Sequence, residues 1–242
     1  MHCPQCYSRK IKKNGKTHYQ KQNHRCKECG RQFVMDSTHY ISDQKRAHIR
    51  RCLSERLSLY AICRIFKVSY TWLYNFAKSV WAEAPDSLAC KAEAANVKTL
   101  EELQEVSIQL DEVWTFCGDR LSKEWLWIAY DPWNRQVICY HIGDRSAESA
   151  KALWDQLPVE WQENCWFDTD DWNAYKKVIP AEQHFVSKAL TQRIERFNNT
   201  LRQRCSRLVR KTLSFSKSRI NHEAAIKYFF WQFNLEQQAL HL

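Results

Sequence analysis

The sequence predicts a multidomain protein with a small cysteine-bearing β-rich module, a helical segment and a larger α/β domain that contains a mixed sheet. Two cysteine pairs lie within the first 30 residues, residues 43–80 have helical periodicity, and apolar runs typical of strands begin at Val106. An Ala/Glu-rich stretch containing Pro85 separates the helical segment from the α/β part. We therefore set the domain boundaries at 1–36, 37–81, 82–104 and 105–242, with 82–104 as the linker.

The first module contains two CxxC pairs, Cys3/Cys6 and Cys26/Cys29, separated by 19 residues. Each pair can turn two thiolates toward one ion, and four thiolates complete the tetrahedron that structural Zn²⁺ prefers. A module this small needs the metal because its apolar core is too small to stabilise it alone. The sequence therefore predicts a zinc ribbon. The other cysteines are interpreted as small core residues: Cys52, Cys63, Cys90, Cys117, Cys139, Cys165 and Cys205.

The total of eleven cysteines is odd, and the polar, basic N-terminus contains no hydrophobic signal core. A disulfide scaffold is therefore not expected, and the paired pattern favours a metal site in a reducing compartment. No apolar run approaches the roughly 18 residues that a membrane span requires. We expect a soluble protein inside the cell.

Residues 58–78 have the spacing of a helix-turn-helix. Ala61, Ile62 and Ile65 form the predicted inward face of the first helix, and Ser69 is the predicted N-cap of the second. An ordinary helical hairpin has the same periodicity, so the pattern alone does not decide between the two.

Charge favours contact with DNA. The net charge is +13 over residues 1–81, −11 over 82–185 and +8 over 186–242, a distribution that suits a polyanion bound around an acidic centre. On the second helix, the residues expected in a major groove are Tyr70, Thr71, Tyr74, Asn75 and Lys78. On the preceding helix, the residues expected at phosphates are Lys45, Arg46, Arg50 and Arg51.

The α/β domain is predicted from alternating runs and caps. The predicted strands are 106–117, 125–131, 136–143 and 165–168, with a turn at 131–134. The predicted helices are 146–156, 190–204 and 221–233, and Ser146 is the N-cap of the first. The last helix is expected to close the core of this domain, although it could also contribute to oligomerisation.

Three carboxylates stand out by position. Asp111 lies inside an apolar strand, Asp170 follows a later strand, and Glu195 lies on the polar face of a helix. A carboxylate in an apolar strand is costly unless it is paired or bound to metal, and three such groups can gather around two Mg²⁺ ions. Taken singly, Glu195 could pair with Arg196 or Arg202, and Asp170 could cap the next helix.

Several segments resemble transposases of the IS-one insertion-sequence family, within the Asp-Asp-Glu (DDE) superfamily. The matching segments are the CxxC pairs, Leu110–Trp114, Thr169–Tyr175, Thr191–Arg202 and Arg207–Lys217. The resemblance implies an RNase-H-like fold and catalysis by Asp111, Asp170 and Glu195 with two Mg²⁺ ions, for which Mn²⁺ can substitute. Asp171 stands where many relatives have glycine, and Phe197 where a polar residue is common.

By that resemblance, the chain is expected to bind the terminal inverted repeats of its element as double-stranded DNA, to act as a homo-oligomer without any membrane, and to be cytoplasmic and nucleoid-associated in a prokaryote. The basic residues expected to hold phosphates near the catalytic helix are Arg193, Arg196, Arg202, Arg204, Arg207, Arg210 and Lys211. Tyr175 is interpreted as structural or DNA-contacting, and His184 either lies near the metals or has a core or surface role.

Three alternatives remain open. A non-catalytic zinc and helix-turn-helix regulator would bind DNA without cleaving it. A structure-specific nuclease of the same fold would hydrolyse DNA without strand transfer. A tyrosine or serine recombinase would form a covalent protein–DNA intermediate, which the proposed two-step chemistry does not require.

Overall fold

The computed structural model describes residues 1–35, 41–88, 90, 106–118, 123–208 and 215–240. The chain divides into two compact units, residues 1–51 and 52–242. The predicted linker 82–104 lies largely outside the described residues.

The first unit begins with a three-stranded antiparallel sheet in the order β1-β2-β3, as expected for the cysteine-bearing module. Its strands are β1 (Ile11–Lys16), β2 (Gln22–Cys26) and β3 (Gln32–Val34). Helix α1 (Asp43–Cys52) follows, and it buries Ile49. Few large apolar side chains are buried here, so little of the stability of the sheet can come from an apolar core.

The second unit opens with helices α2 (Leu59–Phe66) and α3 (Tyr70–Trp81). Ser69 caps α3 by accepting a hydrogen bond from the backbone N–H of Trp72, which confirms the predicted cap. Lys67 ends α2 in the left-handed conformation, with φ 50°. Ile65 was expected to pack inward, and this expectation is wrong because the residue is 59% exposed. The covered face of α2 instead contains Leu59, Ile62 and Phe66, spaced three and four residues apart.

A five-stranded mixed sheet in the order β6-β5-β4-β7-β8 forms the centre of the second unit. Its strands are β4 (Ser107–Phe116), β5 (Lys123–Asp131), β6 (Gln136–Gly143), β7 (Trp166–Thr169) and β8 (His184–Val186). Strands β4, β5 and β6 form an antiparallel meander, and β7 and β8 add in parallel beyond β4. Four of these strands were predicted within two residues at each end, whereas β8 was missed because it has only three residues.

Helices cover both faces of this sheet. On one face lie α4 (Ala147–Trp154), α5 (Val159–Asn164) and α6 (Asn173–Lys176), packed against Ile108, Leu110 and Trp127. On the other lie α7 (Gln192–Arg204) and α8 (Arg219–Leu240), packed against Val113 and Ile128. Successive strand residues point to opposite faces, so β4 and β5 supply side chains to both cores. Ser146 caps α4, as predicted.

Helix α8 closes the second core, as its apolar face predicted. Ile226, Phe229 and Phe230 are essentially fully buried. Asn234 is also fully buried, and its side-chain amide bridges the helix to β6 by accepting from the backbone N–H of Val137 and donating to the Val137 carbonyl, both at 2.8 Å. No helix within the described ranges combines the length and apolar character needed to cross a bilayer.

Replacing Asn234 with alanine should destabilise the second unit by about 2–4 kcal/mol, because the substitution leaves buried backbone groups of Val137 and Leu88 without partners. Urea unfolding followed by circular dichroism measures this change. The matched control is Leu235→Ala on the exposed side of the same helix, which should change the free energy of unfolding by about 0.5 kcal/mol or less. Equal effects of the two substitutions would contradict the bridging role.

Candidate active site and metal centre

The four predicted zinc ligands converge in the first unit. The sulfur atoms of Cys3, Cys6, Cys26 and Cys29 all lie within 4.8 Å of one another, and the pairs Cys3/Cys29 and Cys6/Cys26 are 3.6 and 3.5 Å apart. Tetrahedral Zn²⁺ with bonds of about 2.3 Å places its sulfur ligands about 3.8 Å apart, so the cluster fits the ion. The backbone N–H of Cys29 lowers the pKa of Cys26 to about 6, which favours the thiolate that a metal requires.

Asp111 lies on the central strand of the sheet in the second unit, and the pairing of β4 with β7 runs toward Asp170. Strands β4 and β7 are parallel, with Ile108 opposite Phe167 and Gln109 opposite Asp168. Continuing that register by two residues places Asp170, directly after β7, beside Asp111. The negative charges of Asp170 and of Glu112 contribute to raising the pKa of Asp111, as expected for carboxylates near one another.

Two side-chain bridges fix α7 against β4 on the same face of the sheet. The Gln109 amide oxygen accepts from the backbone N–H of Ile194 at 2.8 Å, and its amide nitrogen donates to the Leu190 carbonyl. One turn further along α7, Asn198 donates to Asp111 Oδ2 at 2.6 Å. Glu195 lies between these two contacts, exposed on α7 and three residues from Asn198. The structure therefore places Glu195 on the helix that packs over Asp111.

The three carboxylates are not gathered into one cluster. In the part of the chain that the structure describes, the cysteine cluster is the only set of three or more His, Cys, Asp or Glu side chains with ligand atoms that close together. Two observations nevertheless fit a metal beside Asp111. Burial, above all, raises the pKa of this carboxyl group to about 7, so a cation would relieve a real cost. The buried Oδ1 of Asn198 has no hydrogen-bond partner among the described residues and offers the hard oxygen that Mg²⁺ prefers.

Local contacts distinguish the three aspartates that crowd into residues 168–171. Asp168 is buried and accepts a hydrogen bond from the Ser107 hydroxyl, whereas Asp171 is exposed and pairs with Lys176. Asp170 Oδ1 accepts a hydrogen bond from the backbone N–H of Trp172 at 3.0 Å, and Oδ2 accepts none from the described residues. Asp170 is therefore the one of the three that is neither buried beside a hydroxyl nor paired with a lysine.

His184 lies on β8 beside this loop. Its Nε2 is 2.7 Å from the Thr169 hydroxyl, which itself donates to the Asp170 carbonyl, so the histidine serves as the donor to that hydroxyl. Of the two roles considered for His184, the structure shows a half-buried residue that supports the Asp170 backbone.

Sequence reasoning missed a buried network on the opposite face of β4. Glu112 is 8% exposed, and Arg145 donates to its Oε1 while Tyr175 donates to its Oε2 at 2.9 Å. The Arg145 guanidinium lies between the rings of Trp125 and Trp172, at 4.5 and 3.9 Å from their centroids. Tyr175 is 1% exposed, which supports the structural reading of this residue. The sequence did contain a signal for this network, because Glu112 is a second acidic residue within an otherwise apolar strand.

The predicted basic residues differ in availability. Arg196 is exposed, whereas Arg193 donates to the Pro132 carbonyl and lies 5.6 Å from the Trp133 ring. Arg202 is half-buried. Arg204 is held by Glu55 and Glu236, so it is less available to phosphate than its position on the helix suggested. Arg207 is half-buried, and Arg210 and Lys211 lie outside the described residues.

The helical residues predicted to contact DNA also differ. Thr71, Asn75 and Lys78 are exposed on α3. Tyr74 is half-buried and its hydroxyl accepts from Asn221, and Tyr70 stacks on it. On α1, Arg46 and Arg51 are exposed and Arg50 is half-buried.

A mixed sheet with this strand order, two central aspartates and a covering helix that carries a glutamate is consistent with an RNase-H-like catalytic domain, here preceded by a four-cysteine metal module. A family model described as IS1 transposase matches residues 105–235. The chain therefore belongs to the IS1 transposase family, as its sequence motifs predicted.

Individual relatives agree with the family assignment. The chain is 41% identical over 122 residues to the insertion element iso-IS1n protein InsB of Shigella dysenteriae, a match that covers 50% of this chain and 91% of that protein. It is 37% identical over 124 residues to the IS1 protein InsB of Shigella flexneri, covering 51% and 93%. It is 36% identical over 128 residues to the IS1 4 protein InsB of Escherichia coli strain K12, covering 51% and 73%.

Replacing Cys26 with serine should remove most of the bound zinc, because it leaves an incomplete thiolate tetrahedron. Protein purified with zinc should contain about one ion per chain by elemental analysis, and the variant far less. Cys63→Ser, a half-buried cysteine outside the cluster, is the matched control and should retain the metal. Full zinc content in the Cys26 variant would contradict the four-cysteine site.

Asp111→Asn should stabilise the protein at pH 8 in buffer that contains zinc but no Mg²⁺ or Mn²⁺. The pKa of Asp111 is raised from its ordinary value to about 7, so the folded state binds more protons than the unfolded state between about pH 4 and 7. Stability is therefore lost as the pH rises through that range, and asparagine removes the loss. We expect the melting temperature to rise by at least about 3 °C at pH 8 and to change little at pH 4.

The control for this measurement is Asp171→Asn, since Asp171 is exposed and its pKa is lowered by Lys176. This variant should not gain stability at pH 8. An Asp111 variant that melts at the same temperature as the parent at both pH values would show that the buried carboxylate costs nothing.

Proposed function

We propose that this protein is a DNA transposase that binds the terminal inverted repeats of its insertion sequence and catalyses metal-dependent 3′-end cleavage and strand transfer. The observation that carries the proposal is the parallel pairing of β4 with β7, which runs toward Asp111 and Asp170, together with the hydrogen bonds of Gln109 and Asn198 that tie α7 and its Glu195 to β4. Membership of the IS1 transposase family supports this activity.

In the proposed chemistry, a water oxygen attacks the phosphorus atom at the end of the element. The P–O3′ bond breaks, and the leaving oxygen takes up a proton to become the 3′-OH of the element. That hydroxyl then attacks a phosphodiester of the target, forming one P–O bond and displacing the target 3′ oxygen. Two Mg²⁺ ions, when bound, would activate the attacking oxygen and stabilise the leaving one.

The residues of this chain would hold and orient the site. Asp111 and Asp170 would supply carboxylate oxygens from adjacent strand positions, and Glu195 would supply a third from α7. Asn198 would keep Asp111 in place through its 2.6 Å hydrogen bond, and its free Oδ1 is near enough to the same carboxylate to contribute a further oxygen. Because Glu195 is exposed and not yet gathered with the other two, metal and DNA binding would draw it inward.

The remaining domains would supply recognition. Under this proposal the zinc ribbon (1–36) and the helix-turn-helix (37–81) bind the element ends, and 105–242 is the catalytic domain. The net charge of +13 over residues 1–81 and the exposed Thr71, Asn75 and Lys78 support DNA contact by this part of the chain. Acting on two ends at once would require a homo-oligomer on the DNA.

Asp111→Asn and Glu195→Gln should each lower cleavage and joining by at least about 100-fold while largely preserving binding of end DNA, because each replaces a charged carboxylate with a neutral amide and removes no surface cation. The assay combines the purified protein, Mg²⁺ or Mn²⁺, a target plasmid and labelled DNA that carries the element ends with their flanks. The matched control, Asp171→Asn, alters the exposed neighbour of Asp170 and should cleave and join like the parent.

Retained activity in the Asp111 or Glu195 variant would overturn the catalytic assignment. Binding without cleavage or joining by the parent, in either metal, would instead favour the non-catalytic regulator. Cleavage without joining would favour a nuclease, and a covalent protein–DNA product would favour a recombinase.

A further inference from the structure

A groove with a volume of about 660 Å³ lies within the second unit, away from the three carboxylates. Helices α2 and α3 form one wall, and residues 206–207 and 215–221 form the other. Aromatic and basic side chains dominate its lining, which includes Tyr60, Tyr70, Tyr74, Arg64, Arg207 and Lys217. We call it the tyrosine groove. Neither the zinc cluster nor the proposed metal site uses it.

Three tyrosine rings form a continuous stack along one wall. The centroids of Tyr60 and Tyr70 are 4.8 Å apart with an interplanar angle of 18°, and those of Tyr70 and Tyr74 are 5.9 Å apart at 15°. Asn221 donates to the Tyr74 hydroxyl at 2.8 Å and so holds that ring in place. Tyr60 is 63% exposed, which leaves the outer ring of the stack open to a further planar group.

The charged side chains of the groove are all cationic. Arg64 and Lys217 are exposed, and no carboxylate belongs to the lining that the structure describes. Arg207 is half-buried; among the described residues its guanidinium carbon lies 5.5 Å from the centroid of the Trp81 ring, and it forms no ion pair with a carboxylate. Burial lowers the pKa of Arg207. A desolvated guanidinium without an anion is costly, so the groove is suited to bind one.

We propose that the tyrosine groove binds unpaired nucleotides of single-stranded DNA, with bases stacked on the tyrosine rings and phosphates held by Arg207, Arg64 and Lys217. An anion alone would explain the cations but not the stacked rings, and an apolar ligand would explain the rings but not the cations. A nucleotide carries a planar base and a phosphate a short distance apart. Protein sites for single strands accordingly combine aromatic rings, on which the bases stack, with cations that hold the phosphates.

An unpaired strand fits this groove better than a duplex. In a duplex the faces of the bases are covered by their neighbours, so only the edges reach a protein. Tyr70 and Tyr74 also line the groove opposite residues 206–207 and 215–221, whereas Thr71 and Asn75 lie on the exposed side of α3 and do not belong to its lining.

The groove lies at the far end of the helix that carries Glu195. From Glu195 to the end of α7 at Arg204 the helix rises about 14 Å, and Arg207 follows three residues later. This proposal rests on the proposed action of the protein on DNA. It adds a place where a strand separated from its complement near the cleavage site would be held.

The test is binding of fluorescent dT₁₂ to the full zinc-loaded chain without Mg²⁺, measured by fluorescence anisotropy. Tyr60→Ala and Tyr70→Ala should each weaken binding about 5- to 150-fold, the range that loss of one stacked base contact produces. Tyr60→Phe and Tyr70→Phe keep the rings and should bind like the parent. Lys217→Gln removes one cation, so the slope of the logarithm of the binding constant against the logarithm of the salt concentration should become shallower by somewhat less than one.

Two matched controls lie outside the groove. Phe185→Ala removes an exposed aromatic ring from β8, and Lys177→Gln removes an exposed cation next to α6. Both should bind dT₁₂ within about twofold of the parent. The same panel is measured with a duplex of equal length, for which the tyrosine substitutions should have much smaller effects.

Three results would overturn the proposal: alanine variants that bind dT₁₂ like the parent, equal losses for dT₁₂ and the duplex, or tighter binding of rU₁₂ than of dT₁₂. The outcome is independent of catalysis, because the assay contains neither Mg²⁺ nor Mn²⁺. Loss of dT₁₂ binding in the tyrosine variants together with no cleavage by the parent would therefore refute the proposed function and leave the groove assignment standing. Cleavage by the parent with unaltered dT₁₂ binding in the tyrosine variants would support the proposed function and refute the groove assignment.

Discussion

The contacts between β4 and α7 determine the geometry of the candidate active site. Gln109 ties the start of the helix to the strand at Leu190 and Ile194, and Asn198 ties it to Asp111 one turn later. Packing alone would allow the helix to slide or rotate, because Ile194, Phe197 and Leu201 contribute a continuous apolar stripe to the core. Directional hydrogen bonds remove that freedom. The position of Glu195 relative to the strand thus depends on two amide side chains that are not themselves acidic.

Adjacent residues of β4 serve opposite faces of the sheet, and the two faces treat their carboxylates differently. Glu112 is neutralised by Arg145 and accepts a hydrogen bond from Tyr175, so its negative charge is satisfied within the fold. Asp111 receives hydrogen bonds from the Asn198 amide and from its neighbour's backbone N–H, and no cation among the described residues pairs with it. A buried carboxylate without a compensating charge is unfavourable. Of Glu112 and Asp111, it is therefore Asp111 whose charge would be stabilised by binding a cation from outside the chain. The arrangement explains how two neighbouring acids can differ in role.

Much of the fold was predictable because the periodicity of side chains is local information. The strands β4, β5, β6 and β7 and the three long helices of the second unit follow from apolar spacing and caps such as Ser146. Ile65 was placed wrongly because a helix of eight residues tolerates more than one choice of inward face, and the choice is made by what packs on it. Strand order lies beyond such reasoning, since the parallel pairing of β4 with β7 joins residues about 60 positions apart.

The candidate site was predictable to a different degree. The cysteine spacing determines the metal cluster almost alone, since four thiolates can converge in few ways. The choice among Asp168, Asp170 and Asp171 came from the family resemblance, and spacing could not make it. In the structure the three differ by their partners: a hydroxyl for the first, an exposed lysine for the last, and the backbone N–H of Trp172 for Asp170. Asn198 escaped prediction because an amide on a helix carries no charge or periodic signal.

The tyrosines of α3 show that helical spacing alone does not determine which residues form one binding surface in the folded protein. Helical spacing put Tyr70 and Tyr74 on the polar face with Thr71 and Asn75, and in the isolated helix they would share that face. In the folded unit, α3 packs through Ala77, Val80 and Trp81 on α8, which brings Asn221 and the 215–218 segment alongside the tyrosines. One helix thereby presents two surfaces, an open polar one and a walled aromatic one. Their chemistry differs enough that each suits a different state of a nucleic acid, paired for the first and unpaired for the second.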